Sequence, residues 1–446
     1  MFLLTRILPS VDRPPRGALI GGVVLLVTIE LILLTFLDSA PMASMLLLGG
    51  FGLLLLARHP EWALALLAAG FPLLEPITIA LDTDRPVFYL MRILVIAALA
   101  FFLFARVHRP GRLLERVATE PILWLGLALG IVLAVGSLSS ASPIYARMKL
   151  IHYFMTNLLL MVGGALIACG LAGEDRSAQD RRFDRFLLAI TVFALLLAVA
   201  GWINLRVQYY PSETRLAVLG INPIWVARIT GLGLFSLLAL FTLGRIGLLP
   251  ALGIVAPIAG VLILAGSRGP LVGFALIIII WGFARIGRSP SQRVQFSLLA
   301  LAAVGFTFLV MPEAIRERFV QPFTGDFSDF ARLALVRIAR EAAEQVSLLG
   351  IGTGGFSNLL RMGDMRAYPH NIFVEIVIEN GLLGFTILIG FLGWSTARGI
   401  AGRVDTRSLF AFLAFLFALW NAQFSGDVIG NEWIWLFAGI LAGRHR

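Results

Sequence analysis

The segment GIGTGGFSNLLRMGDMRAYPHNIFVEIVIENGLLG, residues Gly350–Gly384, places a histidine at the start of a long apolar run. It opens with a glycine-rich turn and continues through a short basic stretch to Pro369, His370 and Asn371. After Asn371 the chain stays mostly apolar for long enough to cross a lipid bilayer. The segment therefore predicts a membrane helix with His370 at its first turn.

The composition of the whole chain also indicates a membrane protein. Of its 446 residues, 59% are hydrophobic and 14% are charged, and the mean hydropathy is +0.90. In soluble domains about a quarter of the residues are charged. We therefore expect an all-α polytopic integral membrane protein, with a single transmembrane domain over residues 1–446. The net charge of +10 does not predict nucleic-acid binding, because the basic residues lie in the gaps between apolar runs.

Apolar runs of spanning length predict about 14 transmembrane helices. About twelve or thirteen is the alternative, because two of the runs are short. Arginines are concentrated in alternate gaps, so the positive-inside rule predicts that both termini are cytoplasmic. From residue 121 onward the runs begin near Pro121, Leu150, Arg185, Pro223, Leu248, Pro270, Val294, Asn371, Ser408 and Val428.

The longest segment between apolar runs covers residues 312–370, and the alternation of charge places it on the outer side. It has room for a small cap rather than an independent domain. Within it, Asp329–Val346 has helical periodicity, and Arg337 and Glu341 are spaced to pair on its polar face. We expect an amphipathic helix that lies on the membrane surface or covers the bundle.

Three separate stretches bring basic side chains to the outer end of the predicted bundle. Arg228 follows the start of one helix, Arg268 lies in the turn before Pro270, and His370 begins a third helix. Guanidinium groups suit a pyrophosphate, because they present a planar fork of donors and stay charged. Histidine is the most common general base. Together these residues are candidates for a site that holds a pyrophosphate and activates a hydroxyl.

Each of these residues also has an ordinary interpretation. Arg228 can extend to the interface or pair with an outer carboxylate such as Glu213, and Arg268 can belong to a simple tight turn. His370 can be a boundary residue. We interpret the other histidines in that way, namely His59, His108, His152 and His445.

Several enzyme classes lack their motifs in this sequence. There is no P-loop with Lys-Ser/Thr, no HExxH and no cysteine–histidine cluster for zinc. Asp82 and Asp84 form a single Asp-x-Asp spacing beside Arg85, which is weak evidence for a metal-dependent sugar-nucleotide site. We expect a mechanism that needs neither a metal nor a cofactor.

The motifs around these residues resemble the O-antigen ligase and O-antigen polymerase superfamily of bacterial envelope glycosyltransferases. The resemblance covers approximately Asn222–Phe385 and rests on SRGPLVGF at Ser267–Phe274 and on GIGTGGF followed by YPHNIFVEIVIENGLLG. Glu379 and Gly381 match a later glutamate and glycine of the family pattern. The resemblance implies that 312–370 is a periplasmic loop, and that the protein lies in the bacterial inner membrane with its active site facing the periplasm.

The resemblance also implies substrates and roles. The donor is a glycan on undecaprenyl pyrophosphate, and the acceptor is a lipid A-core sugar in a ligase or another lipid-linked glycan in a polymerase. His370 is the expected catalytic base, and direct attack by the acceptor inverts the anomeric carbon. The expected pyrophosphate-binding residues are Arg228, Arg268 and Arg332, and the expected supporting or acceptor-binding residues are Glu379, Glu375, Asn371 and Arg366.

Two other classes remain open at the level of sequence. A flippase for lipid-linked oligosaccharides is expected to have broken or charged helices at the membrane midplane and a repeat between its halves. No such repeat is visible in the sequence. A non-catalytic scaffold of an envelope complex would need neither His370 nor the arginines.

Overall fold

The structure, a computed structural model, describes residues 59–70, 119–169, 176–207, 215–218, 221–285, 309, 311–320, 337–338, 341–342 and 347–444. Within these residues the chain is helical and has no strand. The helices are α1 Pro60–Ala65, α2 Pro121–Leu138, α3 Pro143–His152, α4 Leu158–Cys169, α5 Arg176–Val207, α6 Pro223–Thr242, α7 Leu248–Leu264, α8 Arg268–Arg285, α9 Glu313–Val320, α10 Phe356–Leu359, α11 Ile372–Gly402, α12 Thr406–Asn421 and α13 Glu432–Arg444. π-Helical turns follow α1 at Leu66–Gly70 and join α3 to α4 at Tyr153–Asn157.

Five helices in the described residues are long and apolar enough to cross a membrane. They are Pro121–Leu138, Pro143–Ala168, Arg176–Ile203, Pro223–Thr242 and Ile372–Gly402. The prediction of an all-helical membrane protein is therefore confirmed for this part of the chain. The total of about 14 spans and the outer position of 312–370 stay predictions.

Three predicted helix starts, those near Leu150, Arg185 and Val428, are wrong by four residues or more, and a fourth, at Pro270, is wrong by two. The helix expected from Arg185 begins at Arg176. The run expected from Leu150 already begins at Pro143, because proline is favoured in the first turn and its missing N–H costs nothing there. The helix expected from Pro270 begins at Arg268, so Arg268 is its first residue. The last helix begins at Glu432 rather than Val428, because side-chain carboxylates bind the amides of Val428 and Gly430 in a loop.

Little of the predicted amphipathic helix Asp329–Val346 lies within the described residues. Arg337 Nε donates to Glu341 Oε1 at 3.2 Å, as the four-residue spacing predicts. Both side chains are exposed, so the pair contributes little to stability.

Close helix contacts fix the bundle around α13. Gly164 of α4 lies against the backbone of α13, where an added Cβ would come 2.5 Å from Leu436 O. Gly439 of α13 lies against the carbonyl of Met161 in the same way. Small residues allow helix backbones to approach this closely, as in membrane helix pairs. The pairing buries α13 over nearly its whole length.

The helices α2 and α11 run antiparallel and define the two ends of the bundle. At one end, Thr353 N donates to Gly136 O near the end of α2. At the other end, Arg398 near the end of α11 pairs with Glu120, which precedes α2, at 3.3 Å. His370, which precedes α11, therefore lies at the end where α2 finishes.

Candidate functional site

His370 occupies a specific backbone position at the start of α11. Asn371 caps the helix, with its side-chain Oδ1 accepting hydrogen bonds from Phe373 N at 3.0 Å and Val374 N at 3.1 Å. His370 itself has φ of +60°, a left-handed conformation that is uncommon outside glycine. Its ring meets Tyr368 edge-on, with centroids 4.6 Å apart. The imidazole is thus held half-buried at the helix entrance.

The segment 420–425, at the end of α12, contacts all three predicted stretches. Arg228 donates to the carbonyls of Asn421 at 2.9 Å and Ser425 at 3.0 Å. Next to Arg268, the carbonyl of Gly269 accepts from Trp420 Nε1 at 2.9 Å. The same segment also bonds the start of α11, through Ala422 O to Ile372 N at 3.1 Å and Gln423 Oε1 to Asn371 Nδ2 at 3.0 Å. The stretches carrying Arg228, Arg268 and His370 therefore converge at one end of the bundle.

Arg228 is a buried cation, and its partners among the described residues are neutral groups. Besides the two carbonyls, its Nη1 donates to Asn431 Oδ1 at 3.3 Å, and its guanidinium lies 5.3 Å from the Trp225 ring centre. Its Nε is buried and makes no hydrogen bond to any residue that the structure describes. Within the same residues no carboxylate forms an ion pair with it. A buried charge is costly unless a counter-charge compensates it, so this position favours an anionic ligand.

Arg366 and Asp427 form an ion pair beside Tyr368, whose ring contacts that of His370. Arg366 Nη2 lies 3.2 Å from Asp427 Oδ1, and its guanidinium lies 5.5 Å from the ring centre of Tyr368. Asp427 also accepts from Tyr145 Oη and from Gly430 N, both at 2.8 Å. Half of Arg366 is exposed, whereas Asp427 is fully buried. Asp427 therefore fixes one end of the Arg366 guanidinium, and the rest of that side chain remains partly exposed.

The pKa directions of the two loop groups agree with this arrangement. Burial alone would raise the pKa of Asp427, but Arg366 and Lys149 lower it below its usual range. Burial raises the pKa of Tyr368, and Asp427 adds to that effect, while Arg366 and Arg228 oppose it. The arrangement therefore favours the ionised form of Asp427 and the neutral phenol of Tyr368.

Glu375 and Glu379 lie in the interior, where both contact Lys149. Lys149 Nζ is 2.6 Å from Glu375 Oε1 and 2.6 Å from Glu379 Oε2. The other Glu375 oxygen accepts from Val428 N at 2.9 Å. Neither carboxylate has His370 as a hydrogen-bond partner. Their hydrogen bonds within the described residues go to Lys149 and to the backbone amides of Gly354 and Val428, and their supporting role at the site stays a prediction.

The remaining predicted site residues are placed as follows. Arg268 is the half-buried first residue of α8, next to the contact of Gly269 with Trp420. Asn371 is a helix cap, as described above. Arg332, the third predicted phosphate ligand, lies outside the described residues.

Sequence reasoning missed Lys149, Asp427 and the partner of His152. Lys149 is the only lysine in the chain and directly precedes the apolar run predicted from Leu150, which was the available signal. Asp427 belongs to a short gap that offered no pattern. His152, interpreted from sequence as a boundary residue, has its Nε2 2.9 Å from Glu432 Oε1. Each of these contacts joins residues more than 200 positions apart: Lys149 with Glu375, Asp427 with Tyr145, and His152 with Glu432. Local sequence therefore could not identify them.

The fold and this cluster define a helical membrane protein with a cationic site at one end of its bundle. Residues 253–389 match the family model described as O-antigen ligase. The match supports the O-antigen ligase superfamily for this chain, as the motifs indicate, and with the apolar helices it implies a multi-pass protein of the bacterial inner membrane. The matched residues include Arg268 and His370, whereas Arg228 precedes them. Searches of curated proteins and of solved structures found no match.

Proposed function

We propose that the protein is an O-antigen ligase-type membrane glycosyltransferase. It transfers a glycan from undecaprenyl pyrophosphate to a sugar hydroxyl at the periplasmic face, in lipopolysaccharide or surface polysaccharide biosynthesis. The observation that carries the proposal is the buried Arg228, which has no carboxylate partner among the described residues and lies at the end of the bundle where α11 begins. The family match supports the general class of reaction.

The proposed chemistry assigns one role to each side of the site. His370 takes the proton of the acceptor hydroxyl, and the oxygen attacks the anomeric carbon of the donor. The bond from that carbon to the phosphate oxygen breaks, and its electron pair leaves with the pyrophosphate. Arg228, Arg268 and Arg332 hold the pyrophosphate and stabilise the charge that develops on it. A single displacement of this kind inverts the anomeric centre.

Substitution of His370 tests this assignment. In membranes supplied with the lipid-linked donor and an acceptor, His370→Ala should lower glycan transfer by at least about a hundredfold, because it removes the base. The variant should still insert, since the Asn371 cap, and not the imidazole, binds the first amides of α11. Transfer at the wild-type rate would refute the assignment of His370 as base.

A polymerase with the same donor chemistry is the second candidate function. The two differ only in the acceptor, so deletion of the gene followed by gel analysis of surface glycans separates them. Loss of lipid A-linked polymer together with accumulation of long lipid-linked chains indicates a ligase. Chains of a single repeat unit indicate a polymerase.

A flippase is less well supported, although α11 is broken. Gly381 has φ of +65° and ψ of −164° inside the helix, and buried charges lie next to it. In transporters such breaks leave backbone groups free to bind a substrate or an ion. Here Ile351 N and Gly352 N donate to the carbonyls of Ile378 and Glu379 at 3.0 Å each. These carbonyls are therefore occupied by the chain itself.

A further inference from the structure

The first half of α11 carries two carboxylates that share one lysine. Glu375 and Glu379 are four residues apart, so they lie on one face of the helix. Lys149 Nζ is 2.6 Å from an oxygen of each, and all three side chains are completely buried. Removing Lys149 would leave two buried carboxylates without the cation that they share.

The shared lysine lies close to the place where α11 breaks. Two residues after Glu379, Gly381 ends the first half of the helix, and the turn from Gly350 to Gly354 closes over that end. Gly354 N donates to Glu379 Oε2 at 2.8 Å, the same oxygen that Lys149 contacts. The C-terminal end of a helix carries a partial negative charge, to which the glutamates add. Lys149 is the buried cation that offsets this concentration of negative charge.

Lys149 also connects the two sides of the proposed reaction. Glu375 holds Val428 N at 2.9 Å, in the loop that carries Asp427 and Asn431. Asn431 in turn accepts from Arg228. Lys149 therefore fixes the half-helix that begins after His370 relative to the loop that holds Arg228.

We infer that Lys149 is a positioning residue for glycan transfer. Through Glu375 and Glu379 it sets the distance between the His370 side and the Arg228 side of the site, and it touches neither donor nor acceptor. This inference rests on the proposed function, because it concerns the alignment of the proposed base with the proposed pyrophosphate site. Misplacement of reacting groups by about 1 Å can cost about a hundredfold in rate.

The test removes the connection without leaving a buried charge. The triple variant Lys149→Met, Glu375→Gln, Glu379→Gln is neutral and similar in volume, so it should fold better than Lys149→Met alone. Transfer is measured with purified lipid-linked donor, and rates are expressed per folded molecule. A matched control is Arg398→Met with Glu120→Gln, which removes a partly buried ion pair at the far end of α11.

In the triple variant kcat should fall about tenfold or more, while the KM for the donor changes less than about threefold. The control pair should keep the wild-type kcat per folded molecule. A triple variant that loses only folded protein, with unchanged kcat per folded molecule, would overturn the positioning role. Failure of the proposed function is a separate result, since it would appear as no glycan transfer by the unmodified protein.

Discussion

At the scale of single residues, the sharpest prediction concerns the shape of the Arg228 side chain. Arg228→Lys keeps the charge, but an ammonium cannot span Asn421 O, Ser425 O and Asn431 Oδ1 as the planar guanidinium does. We expect kcat/KM for the lipid-linked donor to fall by at least about tenfold. A transfer assay with purified donor measures the loss.

The matched control for this change is Arg398→Lys. Arg398 lies at the opposite end of α11, where its ion pair with Glu120 is 3.3 Å long. We expect its donor kinetics to remain those of the wild type. An equal loss of kcat/KM in the two variants would mean that Arg228 matters only for folding. Wild-type kinetics in Arg228→Lys would mean that the planar guanidinium of Arg228 is not used in donor binding.

Sequence reasoning selected His370 and Asn371 because they form a polar pair immediately before an apolar run. It expected Asn371 to support the site or bind the acceptor, and it did not predict the helix cap that the structure shows. Lys149 could be noticed as the only lysine, at the edge of an apolar run, but its pairing with two glutamates on α11 could not be predicted from the sequence. That pairing joins positions more than 200 residues apart, so only the packed structure reveals it.

At the scale of elements, the break in α11 gives a prediction with an internal control. Gly381 has backbone angles that essentially only glycine adopts, and an added Cβ would also meet the carbonyls of Ser347 and Leu348. We expect Gly381→Ala to lower the thermal midpoint of the solubilised protein by about 5 °C or more. Gly393, later in the same helix, has no atom within 4 Å of an added Cβ.

Gly393→Ala should therefore leave the midpoint unchanged or raise it, because alanine favours helix over glycine by up to about 1 kcal/mol. A thermal shift assay in detergent compares the two variants. Equal midpoints would mean that the break is not a constrained element of the fold. The glycine-rich turn and the helix were both predictable from sequence, but the contact between them was not. That contact consists of hydrogen bonds from Leu382 N and Leu383 N to the carbonyls of Ser347 and Leu348, which lie more than 30 positions earlier in the chain.

At the scale of the whole molecule, hydropathy predicted the class of fold because bilayer thickness sets helix length. It located Pro121, Pro223 and Leu248 as helix starts without error. It misplaced the start of α13, where carboxylates of Glu375 and Asp427 bind the loop amides. Such capping depends on side chains from other elements, so an average over apolar residues does not detect it.

The proposed reaction also predicts how the whole protein responds to chelation. If the arginines supply the positive charge that stabilises the leaving pyrophosphate, no divalent ion is needed. Transfer in membranes washed with a chelator should therefore equal transfer in untreated membranes. Loss of activity that added divalent metal restores would contradict the metal-independent mechanism.

The orientation of the molecule can be tested through its single cysteine. Helix α11 has 31 residues, a length of about 45 Å if straight, which exceeds the hydrocarbon core of a bilayer. Met365 and Val404, both exposed, flank its two ends. In a Cys169→Ala background, a membrane-impermeant maleimide should label Met365→Cys in intact spheroplasts and Val404→Cys only after permeabilisation. The reverse pattern would place His370 on the cytoplasmic side, where a periplasmic acceptor could not reach it.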